Sequence, residues 1–389
     1  LAYRILLTAA RSFPALDLCR QLASGGHEVY TVESSRNHIC RASNSVKGSF
    51  TAPSPRFAPE AFIEALIEIV EEHHIDWIIP TFEETLHLSA MADRFPPTCR
   101  IFCSSFDLVH TLHNKWTFMD RLSALGIPTP KTYLIRSEEE LAGVDLPAPY
   151  ILKSCYSRAA QSLYQIDPAK GVPDLLYDPI NPWVAQERLE GKKWCTYTVC
   201  VDGRVQAHST YPVVIGIDGI SCVIFESVHH QGVFEWIEQW AQIEGYTGQV
   251  GFDFIETEDG TIYPIECNPR STAGIHLFDH EDQLATAFFE TLEEPILAKA
   301  GRERQIAFGM FLYAWRPGAT QEPMSRVLKR FFTCKDVVLS LNDLKPFFMQ
   351  FLLMGTIWKQ KRQLNLPLPR AFNYDLEWNG THGECWDAG

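Results

Sequence analysis

The run QVGFDFIETEDGTIYPIECNPR, residues 249–270, restricts what this chain can fold into more than any other stretch. Two segments rich in aromatic and β-branched residues flank Asp259-Gly260, a dipeptide favoured in two-residue hairpin loops. With those two residues as the loop, Glu258 opposes Thr261, and every opposed pair keeps the same sum of residue numbers. Asp253 then lies directly across from Glu266, on one face of the hairpin. Their β-carbons would stand about 4.5–5.5 Å apart, where like charges repel. A hard cation removes the repulsion, and Mg2+ takes carboxylate and amide oxygens while completing its shell with phosphates. Asn268 adds an oxygen one step along the same face, and Arg270 brings a planar fork suited to phosphate. An exposed hairpin with an acidic outer face is the alternative. Against it, Phe252, Phe254 and Ile255 crowd the run, and Pro269 stiffens the approach to Arg270.

The first hundred residues set the context. The strand-like ILLTA is followed by Ala15, Leu18, Cys19 and Leu22 at helical spacing, which stops at Gly25-Gly26. HEVYTVES reads as a second strand. Phe62, Ala65, Leu66, Ile69 and Val70 mark a second helix, and IDWIIP a further strand. Such alternation predicts a parallel, doubly wound sheet. Its first turn, TAARSFPA, lacks GxGxxG, and no GxxxxGK[ST] occurs in the chain, so a nucleotide must be held in another way. A helix around Leu108 to Leu125 ends at GIPTP. From Pro130 to about Glu290 strands dominate, giving an α+β region. Beyond Arg302 the chain turns hydrophobic. PFFMQFLLMGTIW is shorter than the roughly 20 apolar residues of a spanning helix and reads as a buried helix. The basic KQKR after it leaves surface membrane contact as the lesser reading.

Composition limits the function classes. With 389 residues, 46% of them hydrophobic, the chain can build two or three domains. A net charge of −14 speaks against nucleic acid and anionic membranes as general partners. Eleven cysteines without a CxxC pair read as reduced thiols. The opening LAYRILLTAARS is too short for a signal peptide or a span, so a cytoplasmic protein acting on small molecules is expected, with homo-oligomerisation left open.

GFDFIETEDGTIYPIECNPRSTAGIHLF, residues 251–278, resembles the metal-binding end of ATP-grasp enzymes, including carbamoyl-phosphate synthase-type ligases. The resemblance runs from Arg4 to Phe278. YILKS, PWVAQERLEGKKWCT and IECNPR are most similar to the mycosporine-glycine synthase-like branch. The implied fold is α/β and α+β: a Rossmann-like domain over 1–105, ATP-grasp subdomains over 106–182 and 183–300, and a C-terminal extension over 301–389. The resemblance implies Asp253, Glu266 and Asn268 as metal ligands and Arg270 on the transferring phosphate. Lys115 corresponds to a helix lysine touching ATP phosphates, although the pattern alone favours a solvated helix lysine. Lys153 corresponds to the strand lysine that reaches the nucleotide, and ends an apolar strand where an unpaired ammonium is costly.

AQERLEG resembles the adenine hinge, with Gln186 and Glu187 as side-chain candidates and the backbone of Glu187, Arg188 and Leu189 facing the adenine edge. Two departures stand out. Lys193 occupies the place where related enzymes carry a ribose-binding glutamate. SCYSRAAQS replaces a glycine-rich lid, with Arg158 as a substitute. In PTFEETLHLSA, Glu83 and Glu84 could meet a substrate amine; Thr81 and Glu84 fit a capping box, which favours the cap for Glu84 and leaves Glu83 open. The small residues after Arg270 suit close approach of a substrate, and His276 reads as a packed histidine. The resemblance implies an ATP- and Mg2+-dependent carbon–nitrogen ligase, with Mn2+ as an alternative ion. An amine or amino acid would attack a phosphorylated carboxylate or enol acid, releasing ADP and phosphate. A biotin-dependent carboxylase component and a non-catalytic ATP-binding protein are the alternatives.

Overall fold

The computed structural model describes residues 2–157, 163–213, 216–217, 221–314 and 323–380. Five short strands, β1 (Arg4–Leu7), β2 (Glu28–Glu33), β3 (Gly48–Thr51), β4 (Trp77–Ile79) and β5 (Arg100–Ile101), pair in parallel in the order β3-β2-β1-β4-β5. The helices α1 (Phe13–Ser24), α2 (Pro59–His73) and α3 (Glu84–Ala90) connect them. α1 starts where the Ser12 side chain accepts the Ala15 N–H, and it buries Leu18, Cys19 and Leu22 as the spacing predicts. The doubly wound sheet expected from the sequence is present. Its strand order reverses between β1 and β4, the switch point beyond whose carboxyl ends open α/β sheets form their ligand crevice.

One helix was expected from Leu108 to Leu125; the chain forms two, α4 (Phe106–His113) and α5 (Lys115–Ala124). Asn114 leaves the helical conformation, and its side-chain oxygen accepts the N–H groups of Trp116 and Thr117. The break turns Lys115 inward, where it is only 5% exposed.

Beyond α5, β6 (Thr132–Ile135), β7 (Tyr150–Ser154), β8 (Leu163–Ile166) and β9 (Trp183–Gln186) form an antiparallel sheet, with α6 (Glu138–Ala142) following β6. A second sheet takes β10 (Lys192–Val201), β11 (Arg204–Pro212), β15 (Gly248–Glu256), β16 (Ile262–Asn268) and β17 (Ile296–Leu297) in the order β16-β15-β10-β11-β17. Between β11 and β15 lie the small β12 (Gly216–Ile217) and β13 (Ser221–Cys222), then β14 (Ile224–Glu226) and α7 (Gln231–Glu244). α7 packs Ile237, Trp240 and Ala241 against Phe252 and Phe254, which fixes the back of β15. α8 (Thr286–Phe289) precedes β17.

The remaining elements are β18 (Glu303–Gln305), α9 (Ala307–Tyr313), α10 (Met324–Thr333), β19 (Lys335–Asp336), α11 (Lys345–Leu364) and α12 (Leu368–Asn373). They do not hang apart: β14, β18 and β19 form one sheet, and Leu353 and Ile357 of α11 join the core that holds Leu16, Tyr197 and Ile275. The expected buried helix is thus buried on one side only. Among the described residues, no helix is long and apolar enough to cross a membrane.

After α12 the chain crosses the carboxyl ends of β1, β2 and β4. Arg11, 1% exposed, donates to Glu33 Oε1 at 2.6 Å and to Asp375 Oδ1 at 2.7 Å. Arg56 pairs with Glu377 at 3.1 Å, and the Trp378 N–H donates to Glu83 Oε2 at 2.9 Å. Burial alone would raise Glu33, but the charge and hydrogen bonds of Arg11 outweigh it and hold the carboxyl down to about 2. Arg11→Met strands that buried carboxylate and should cost about 3–5 kcal/mol in urea unfolding at neutral pH. Because the Glu33 pKa is depressed on folding, its contribution is present above about 4.5 and lost as pH falls toward about 2. The unfolding midpoints of variant and parent should therefore converge in acid.

Candidate functional site

Asp253 does oppose Glu266, although by a different route from the one the turn suggests. The loop has three residues: the Thr257 N–H donates to Thr261 O, and Gly260 closes the turn at φ 83°. That conformation favours glycine. Between Glu256↔Ile262 and Phe254↔Pro264 the pairs run one residue out of the expected register. A bulge at Ile265 absorbs the difference, so Asp253↔Glu266 and Gly251↔Asn268 return to it. Pro264 has no N–H to give the ladder, which makes its neighbourhood a cheap place for a bulge. The bulge also turns the Ile265 carbonyl outward, and Lys153 Nζ donates to it at 3.0 Å.

That contact joins the sheet of β6 to β9 to the sheet that holds β15 and β16. Lys153, at the end of β7, also donates to Gln186 Oε1 at 2.9 Å. Burial pulls its ammonium down to about 8, with Lys115 adding to the effect and Glu266 opposing it. Lys115 Nζ lies 3.4 Å from Glu266 Oε1 and donates to Ser157 O at 2.8 Å. The solvated alternative for Lys115 is therefore wrong: the Asn114 cap sends it inward. Asp253 is pushed up to about 6, first by burial and then by the charge of Glu266, while a hydrogen bond from Cys195 on β10 works the other way. The charges of Arg270 and Lys115 also pull it down, but by less.

Arg270 Nη2 donates to Asn268 Oδ1 at 3.0 Å and Nη1 to Ser271 O at 3.2 Å. Its guanidinium lies 4.8 Å above the Phe82 ring, and Nε, buried without a hydrogen bond, sits 3.9 Å from Glu83 Oε1. Arg270 thus spans the gap between the metal-type donors and the crevice beyond β4. Glu83 is 2% exposed and also faces His113 Nε2 at 3.7 Å. Burial, together with the charges of Lys115 and Arg270, keeps that histidine neutral. Nothing in the sequence pointed to His113 or to Trp378 here, since they reach Glu83 from α4 and from the far end of the chain.

Other expected residues fall in varied places. The Gln186 side chain holds Lys153 and donates to Thr132 Oγ1 at 3.2 Å. The Glu187 N–H donates to Lys131 O at 2.8 Å, and its carboxylate accepts the Lys131 N–H. Both groups are therefore engaged in holding β9 to β6. Among the described residues, the N–H groups of Arg188 and Leu189 donate to no protein acceptor. Lys193 is exposed on β10, opposite Ile255. Glu84 forms half of the expected capping box: its Oε1 accepts the Thr81 N–H at 2.9 Å, but Thr81 Oγ1 donates to Thr8 O. A β-carbon at Gly274 would fall 2.5 Å from Ser209 Oγ and 2.6 Å from Tyr197 Cβ. Gly274 therefore serves the packing of residues 273–277 onto β10 and β11. His276 is buried and bonded through Nδ1 to Asp17. Arg158 lies outside the described residues.

No group of three or more His, Cys, Asp or Glu among the described residues could hold a metal ion alone. The donor set here is two carboxylates and an amide oxygen, which suits a hard cation that keeps phosphate and water ligands. The raised Asp253 is the observation that fits one.

The ATP-grasp domain family matches residues 112–274. The N5-carboxyaminoimidazole synthetase of Staphylococcus aureus, solved with ADP, is similar in structure at 14% identity, TM-score 0.60, covering 78% of this chain and 82% of that one. An L-amino acid ligase from Bacillus licheniformis follows at 15% identity and TM-score 0.59, covering 77% and 79%. The biotin carboxylase domain of Hydrogenobacter thermophilus 2-oxoglutarate carboxylase, solved with MgADP and bicarbonate, matches at 14% identity and TM-score 0.59, covering 76% and 72%. No curated protein matches in sequence. The chain has the ATP-grasp fold.

Asp253→Asn removes a half-buried charge facing another of the same sign. Its folded pKa lies above the ordinary 3.8, at about 6, so ionising it costs the folded state. The variant should gain on the order of 1 kcal/mol without metal above about pH 6. It should match the parent below about pH 4, in urea unfolding at each pH. Stabilisation by added Mg2+ and ATP should disappear in the same variant.

Proposed function

We propose that this chain, built on an ATP-grasp domain, is an ATP-dependent ligase that forms a C–N bond. An acceptor carboxylate or enol acid is phosphorylated by ATP, an amine or amino acid attacks it, and ADP and phosphate leave. One observation carries the reading: Asp253 and Glu266 oppose each other where Lys115, Lys153 and Arg270 converge on the same strand end. Mg2+ held by Asp253, Glu266 and Asn268 would offset the charge of the nucleotide's β- and γ-phosphates. Mn2+ is an alternative ion.

Each protein group then has a task. Lys115 and Lys153 hold phosphate oxygens, and the short tether of Lys153 to the Ile265 carbonyl fixes its position before ATP arrives. Arg270, with an unfilled buried Nε–H, grips the transferring phosphoryl group bidentately. The Arg188 and Leu189 amides meet the adenine edge; the Glu187 amide, bonded to Lys131, does not. The acceptor and amine occupy the crevice beyond β1 and β4, which Glu83 and Arg270 border. In this reading residues 1–105 carry the acceptor side, 106–182 and 183–300 enclose the nucleotide, and 301–389 form the extension. Rate enhancement comes from positioning and fixed charge. The mycosporine-type acceptor, a cyclohexenone enol acid joined to an amino acid, is the narrower form.

A carboxylase-type reaction is the second reading, favoured by the likeness to the biotin carboxylase domain solved with bicarbonate. Release of ADP should be screened over amino acids against carboxylic acids, cyclic enol acids and bicarbonate with biotin, with product masses recorded. ADP formation that needs both an amine and an acid supports the ligase. Dependence on bicarbonate and biotin selects the carboxylase, and ATP binding without turnover across the panel selects a non-catalytic protein. Glu266→Gln should lower ADP production by about 100-fold or more, and Arg270→Lys should do the same despite its retained charge. Unchanged turnover in either variant removes that residue from the site.

A further inference from the structure

α11 is apolar on two opposite faces. Pro346, Gln350, Leu353 and Ile357 share the buried side. At 100° per residue, Leu344, Phe348, Leu352 and Lys359 fall on the other. Phe348 is 63% exposed, Leu352 59%, Phe351 49% and Trp358 50%. Phe351 touches Phe308 of α9 at a centroid distance of 6.0 Å, and Phe311, one turn further along α9, is 62% exposed. A helix with large apolar side chains on a second, exposed side is one that expects a second apolar neighbour.

The charge around this face is as unusual as its hydrophobicity. Residues 323–365 hold eight Lys and Arg against two Asp, in a chain whose net charge is −14. Both aspartates are engaged: Asp336 accepts the N–H groups of Ala307 and Leu339, and Asp343 holds Arg20, Ser43 and Asn44. Two of the cations are paired as well, Arg330 with Glu226 and Glu303 and Lys335 with Asp279, so the positive charge of this face rests on α11 itself. The exposed Lys359 and Arg362 continue the apolar stripe at the carboxyl end of α11, and Arg362 and Lys361 lie 5.2 and 5.8 Å from the Trp358 ring. Lys345 stands exposed at the other end. A second copy of the same face, parallel or antiparallel, would set cations against cations. A bilayer rich in anionic headgroups complements both features, receiving the aromatic stripe at the acyl boundary and the cations among the phosphates.

We propose that the outer face of α11, with Phe311 of α9, docks this protein on an anionic membrane surface without crossing it. The sequence favoured a buried helix; the exposed second face is what the tertiary structure adds.

Flotation of the full chain tests this with vesicles of phosphatidylcholine alone or mixed with phosphatidylglycerol. Binding is expected to the mixed vesicles only, and to weaken with salt. Phe351→Ser and the pair Lys359→Glu with Arg362→Glu should each lower partitioning by about tenfold or more. Circular dichroism and unfolding midpoints check that each variant is folded. No binding to mixed vesicles at low salt overturns the proposal, as does equal binding by folded variants. So does a dimer in sedimentation that Phe351→Ser dissolves, since the face would then belong to a second copy.

Discussion

Two carboxylates facing each other across a hairpin are the constraint on which the site depends. Asp253 and Glu266 are directly opposed on neighbouring strands, and burial pushes the Asp253 carboxyl up to about 6. Such a pair is unfavourable by itself. The fold surrounds it with positive charge: Lys115 from the capped start of α5, Lys153 from the end of β7 and Arg270 from the turn after β16. Each cation is also held by a protein oxygen, so the three are placed before any ligand binds. Fixed charge of this kind acts strongly because it need not reorganise during reaction.

The bulge at Ile265 links backbone geometry to this electrostatics. It corrects the register left by the three-residue loop, restoring the opposition of the acids, and it exposes the carbonyl that anchors Lys153. One irregular residue therefore sets both the acid pair and the position of Lys153.

The tail closes the other side. Asp375, Glu377 and Trp378 lie across the carboxyl ends of the N-terminal strands and are bound to Arg11, Arg56 and Glu83. Trp378 packs among Leu86 of α3, Val109 of α4, Cys155 just after β7 and Val184 of β9. The crevice at the strand-order switch is thus walled by residues hundreds of positions away in sequence. Glu83, which the sequence left as a candidate for a substrate amine, is instead partly committed to the tail.

The periodic elements were legible in the sequence because their signal is local: α1, α2, β2 and β4 follow from spacing and the hairpin from its turn dipeptide, whereas its three-residue loop and the bulge at Ile265 were not legible. β3 and β5 were not, being short and half-exposed, with little apolar pattern to read. The break at Asn114 was missed because apolar residues run through it, while the cap depends on one side chain. Sequence alone determined that Asp253, Glu266, Asn268 and Arg270 come from one hairpin, since strand pairing and alternation are short-range geometry. Only the tertiary structure decided that Lys115 turns inward, that Gly274 serves packing, that the tail walls the crevice and that α11 keeps an exposed apolar face. Those outcomes depend on which distant surfaces meet, and a side chain's burial is set by neighbours that its own segment does not encode.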